Sequence, residues 1–105
     1  MNNIEIKKLN SIKQLLLNLI FILEKESEDN WIRAVYLMLD KVDNGLSGKV
    51  DSKEVIDYVS RTYKSISAGS GSFSDFFIWR ENIDDRKKEN KKLQKIKDDL
   101  WDLLT

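Results

Sequence analysis

The side chains that do most chemistry at neutral pH are missing. Histidine and cysteine are both absent from the 105 residues. That excludes the commonest general base, imidazole metal ligands, thiolate nucleophiles and every serine–histidine or cysteine–histidine pair. Disulfides are excluded with them. Three remaining stretches have suggestive spacing. In Gly69-Ser70-Gly71-Ser72 the glycines imitate a phosphate cradle, but a P-loop needs lysine and a hydroxyl residue directly after its last glycine, and Ser72-Phe73 stands there. The dinucleotide fingerprint also lacks its third glycine. Between Asp40 and Asp51, Asp40, Asn44, Gly45 and Asp51 fall at positions one, five, six and twelve of a calcium loop. Val42 at position three offers no oxygen, and Asp51 is shorter than the bidentate glutamate a hard cation prefers at twelve. The basic run Arg86-Lys87-Lys88 and Lys91-Lys92 is interleaved with Asp84, Asp85 and Glu89 and has no aromatic residue to stack on a base. With 18 basic and 18 acidic residues the chain has no net charge, whereas nucleic-acid binders carry a basic excess. The expectation is a protein that is not an enzyme, uses no cofactor or metal, and makes no direct contact with nucleic acid.

The elements that position the remaining groups read as helices. Proline is absent and glycine occurs four times, which favours long uninterrupted helices. Over residues 4–26, Leu9, Ile12, Leu16, Leu19 and Leu23 recur at steps of three and four on one face. Leu15, Ile20 and Ile22 widen that stripe enough for a central position. A second helix over residues 30–42 carries Ile32, Val35, Tyr36, Leu39 and Val42. Glu28-Asp29-Asn30 supplies its N-terminal caps, Trp31 stands at its start, and Asn44-Gly45 ends it with a left-handed glycine. Asp51-Ser52-Lys53-Glu54 is a capping-box variant, flanked by Val50 and Val55 as a hydrophobic staple. It opens a third helix with Val55, Ile56, Val59 and Tyr63 inward. Residues 65–74 read as a loop. Residues 75–79 read as a helical turn capped by Ser72 or Ser74, because no second strand is evident to pair with them. The last helix spans residues 83–104, with Leu93, Ile96, Leu100 and Leu103 as its seam and a charged first half along the edge of the core. The fold expected is all-α: one domain over residues 1–105, a compact bundle of four main helices with a Gly/Ser-rich loop before the last. The apolar runs are too short to cross a bilayer and the start lacks a signal-peptide pattern, so no membrane contact and a cytoplasmic location are expected.

A binding role then rests on shape and charge. Glu28, Asp29, Asp40, Asp43 and Asp51 outnumber Arg33, Lys41 and Lys49 in the same stretch. If exposed together they form a negative patch that competes for a basic, phosphate-holding cleft. Helix-end capping accounts for much of the same pattern. Phe73, Phe76, Phe77 and Trp79 lie too close in sequence for all four to be buried easily, and an aromatic beside the glycine loop suits an interface anchor. The contact candidates are Glu28, Asp29, Asp40, Asp43 and Phe73.

The stretch Gly69-Ser70-Gly71-Ser72-Phe73-Ser74-Asp75-Phe76-Phe77-Ile78, with Trp31 and the polar turn at Gly45, resembles the Gly-Ser-Phe-(Asn/Ser)-Asp signature of a family of small bacterial helical proteins. These look like the immunity partners of polymorphic toxins, including contact-dependent growth inhibition systems. In that family methionine often stands where Ser70 does. The resemblance covers residues 31–78 and implies a four-helix arrangement. It also implies an immunity protein that binds a cognate toxin domain and neutralises it by stoichiometric occlusion; a nuclease is the toxin class that the acidic patch fits. The alternative is a non-catalytic helical adaptor that takes a partner through the seam of the last helix. On its residues alone the motif forms the fold: Gly69 and Gly71 allow the turn, Ser72 or Ser74 caps the next segment, Asp75 adds negative charge to its first turn, and Phe73 staples the loop onto the core.

Overall fold

The four amphipathic segments are four helices in the computed structural model, which describes residues 3–69 and 71–105. They are α1 (Asn3–Lys25), α2 (Ile32–Leu46), α3 (Ser52–Ser67) and α4 (Ile83–Leu104), with a 3-10 turn at Phe73–Asp75 between the last two. There is no strand among the described residues. Side-chain ties show that successive helices alternate in direction. Tyr36 donates to Glu24, Lys13 meets Asp43 at 2.7 Å, and Ser52 donates to Glu5. The Tyr63 hydroxyl donates to the Lys97 carbonyl at 3.1 Å, and Ser60 to the Leu104 carbonyl at 2.6 Å. α1 packs against all three other helices, as its broad apolar stripe requires. Leu9, Ile12, Leu16, Leu19 and Leu23 are all fully buried. No helix among the described residues is long and apolar enough to cross a membrane.

The helix ends show what local sequence can specify. Asp51 caps α3, its carboxylate accepting the Glu54 N–H as the capping box predicts. The stop expected at Asn44-Gly45 lies further on. α2 continues to Leu46, and the left-handed residue is Gly48 at φ +81°. The Lys49 N–H then returns to the Asn44 carbonyl at 3.0 Å, which closes the helix in Schellman fashion. Gly45 serves packing instead: a Cβ there would stand 3.0 Å from Val55 Cγ2 and 3.2 Å from Leu9 Cδ1. α1 ends by the same device with a less suitable residue. Ser27 is left-handed at φ 53°, and the Glu28 N–H reaches the Leu23 carbonyl at 2.9 Å.

Two further expectations are corrected. The helical turn expected over residues 75–79 lies earlier, as the 3-10 turn Phe73–Asp75; beyond it the chain turns extended at Phe76, and residues 76–80 form neither helix nor paired strand. The buried stripe of α4 is Leu93, Lys97, Leu100 and Leu104, not Leu93, Ile96, Leu100 and Leu103. Ile96 and Leu103 are half-buried at its edge. A lysine therefore occupies a core position, and its polar head explains the shape of the preceding segment.

Candidate functional site

Residues 76–80 form a strap laid along α4, and its main chain is held by side chains of that helix. Asn90 pairs with Ile78 as a neighbouring strand would: its Oδ1 accepts the Ile78 N–H at 2.7 Å and its Nδ2 donates to the Ile78 carbonyl at 2.7 Å. Lys97 Nζ donates to the Phe76 carbonyl at 2.6 Å and the Ser74 carbonyl at 3.3 Å. Arg86 Nε donates to the Arg80 carbonyl at 2.9 Å. The far end is tied to α1, where Arg80 grips Glu26 through two bonds of 2.8 and 2.6 Å. That guanidinium holds the Glu26 carboxyl below its usual value, while Glu26 raises Arg80. Burial pulls Lys97 below the usual lysine value, and Asp75 and Asp98 oppose the shift.

Extended backbone points alternate side chains to opposite sides. Phe76 and Ile78 turn inward. Phe76 lies 5.7 Å from the Trp31 ring and 6.2 Å from Phe73, and Ile78 is buried. Phe77 and Trp79 turn outward, at 61% and 60% exposure. Arg86 lies over the Trp79 ring at 3.7 Å and so limits its rotation by a cation–π contact. Two aromatic side chains therefore project from a backbone that is itself fixed.

The anchor anticipated at Phe73 is a core residue. Its ring is fully buried against Trp31 at 5.8 Å and Tyr63 at 6.1 Å, with the Lys97 ammonium 5.0 Å above it. It offers no surface to a partner, and the exposed aromatics of the stretch are Phe77 and Trp79. The acidic candidates do not converge on one patch. Glu28 is engaged locally, its carboxylate accepting the Asn30 and Trp31 N–H groups at 2.6 and 3.0 Å. Asp29 is exposed beside it. Asp40 and Asp43 lie on the second half of α2, about 12 and about 16 Å beyond its first residue at the helical rise, and Asp43 is paired with Lys13.

The loop motif has the fold-forming geometry read from its residues. Gly69 and Gly71 have φ of +83° and +72°, and Ser70 lies outside the described residues. Ser72 caps differently from the expectation: its hydroxyl donates back to the Ser67 carbonyl at 3.1 Å, as Ser74 does at 2.9 Å, closing the end of α3 rather than opening a new helix. Asp75 accepts the Gly71 N–H at 2.7 Å. The Gly71 N–H is thus filled by the chain's own carboxylate, which would repel an anion. The calcium-loop spacing dissolves too, because Asp40, Asn44 and Gly45 are all helical. Among the described residues no group of three or more acidic side chains is placed to hold a metal ion.

Sequence reasoning missed Asn90, Lys97 and the Glu26–Arg80 pair. Only Lys97 left a trace, as a polar residue at the four-three-four spacing of Leu93, Leu100 and Leu104. Compared with known proteins, the chain matches no family model, no curated protein and no solved structure.

Proposed function

We propose that this chain is a non-catalytic binding protein, and that its partner is a bacterial toxin domain which it neutralises in the cytoplasm by stoichiometric occlusion. The observation that carries the binding role is the outward pair Phe77 and Trp79, more than half exposed on a strap clamped by Arg86, Asn90 and Lys97. Large aromatics held rigidly lose little entropy on binding and are the residue types that dominate interface energies. The finer reading, an immunity protein, is supported by the resemblance of residues 69–78 to the immunity-like signature and by the lack of histidine and cysteine. Asp29 and Asp40 are exposed but stand apart, and Asp43 is paired with Lys13, so the acidic candidates add little to this reading. For the adaptor reading, Leu93 and Leu100 of the seam are buried inside the bundle, which leaves it Ile96 and Leu103, half-buried at the edge of the last helix.

The test is co-expression with the product of the adjacent gene, followed by affinity capture. Protection of the cells and a one-to-one complex are expected. Phe77→Ser combined with Trp79→Ser should abolish both while the chain stays folded. Full toxicity in the presence of the intact chain would rule the immunity reading out.

A further inference from the structure

The outer face of the α1–α4 pair is open. Between the helices lies a groove of about 440 Å³ floored by Leu15, Ile22, Ile78 and Ile96, and a shallower trough continues it, the two sharing Leu15 and Asp99. Phe21 stands on its wall with 69% of its surface exposed. The charges sort by end. Lys25 and Lys92 lie at the Phe21 end; Asp99 and Asp102 lie at the other, beside Leu103. Of the carboxylates at the first end, Glu26 is neutralised by Arg80, and Glu89, 3.9 Å from Lys92, offsets one of the two lysines, so that this end keeps one net positive charge. At the junction Lys95 bonds Asp99 at 3.1 Å, which leaves Asp102 as the uncompensated acid of the far end.

We propose that this groove takes a second copy of the chain, related to the first by a two-fold axis passing near Asn18. A two-fold interface requires one patch to complement itself when turned end for end. This groove does so. Phe21 and Leu15 each lie three residues from Asn18 along α1, so the rotation sets Phe21 of one copy against the partner's Leu15, with the partner's Leu103 alongside. On α4 the same rotation places Lys92 opposite the partner's Asp102. Zero net charge leaves no overall repulsion between copies. The contact uses neither Phe77 nor Trp79 and stands or falls separately from the toxin reading.

Sedimentation equilibrium on the full chain from about 5 to about 200 µM, a range that brackets micromolar association, should show the mass rise from 12.3 kDa toward twice that value. Phe21→Asp should weaken association at least about tenfold, the loss expected of a central apolar anchor, with helical circular dichroism retained. Lys92→Glu should weaken it, and Lys92→Glu with Asp102→Lys should restore it. The chain has no cysteine, so Asn18→Cys should give a disulfide-linked dimer on mild oxidation, while Lys64→Cys on α3 should not. A mass fixed at the monomer value throughout would leave the groove to a foreign helix and overturn the proposal. So would equal cross-linking of the two cysteine variants, or a charge exchange that fails to restore association. Should Phe21→Asp lose its helicity, the cross-link and the charge exchange decide the matter.

Discussion

At the scale of single residues, the least favourable backbone choice described is Ser27, a left-handed residue closing α1 where glycine would carry no Cβ penalty. Its side chain makes no contact that the closure needs. Ser27→Gly should therefore stabilise the chain by up to about 1 kcal/mol, the left-handed cost less the extra freedom glycine gains when unfolded. Urea unfolding checks it, and a lower midpoint would contradict it. Glu26 offers a second measurement. Its carboxyl titrates below the ordinary 4.5 because Arg80 binds the charged form. Folding is then favoured in full above 4.5, and this contribution disappears as pH falls through the lower folded value. The melting temperature of the native chain should exceed that of Arg80→Ala near neutrality, and the gap should narrow from pH 4.5 downward. A gap constant to strongly acidic pH would mean that the pair contributes nothing.

At the scale of elements, the strap is the segment whose conformation comes from elsewhere in the chain. Asn90→Ala removes both bonds to Ile78 and leaves partly buried main-chain groups without partners. A loss of about 1–3 kcal/mol is expected for such groups, with faster exchange of the Ile78 amide than in the native chain. Unchanged exchange would show that the strap is held by its inward side chains alone. This dependence also explains what could be read beforehand. The helices were legible because their apolar residues recur at the helical period, and the start of α3 because Asp51 and Glu54 lie within one turn of each other. The extended path of residues 76–80 was not, since Asn90 and Lys97 specify it from more than ten residues away. Gly45 misled for a related reason. Its neighbours Val55 and Leu9 sit on other helices, so a glycine needed for close approach looked like one needed for a turn. The loop chemistry of Gly69, Gly71 and Asp75 was legible because it is local, and so was Phe73 as a staple onto the core; its choice as an interface anchor failed because the rings of Trp31, Tyr63 and Phe76 lie against it.

For the whole molecule, the two longest helices set the shape, 47 Å along one axis and 23 and 22 Å across. Its extended flank is formed by α1 and α4, and the aromatic strap lies where α1 ends and α4 begins. Replacing both Phe77 and Trp79 by serine should change stability by no more than about 1 kcal/mol, since the principal loss is an exposed cation–π contact with Arg86. Thermal unfolding of the double variant checks this, and a collapse of the melting transition would show that these rings belong to the core. Because the hydrogen bonds of Arg86, Asn90 and Lys97 all go to main-chain atoms of the strap, they would persist with other side chains at the two outward positions, where only the Arg86–Trp79 ring contact would be lost. The strap thus behaves as a socket with interchangeable tips. If the proposed binding role holds, rewriting two codons would change the partner, and the bundle beneath need not be rebuilt.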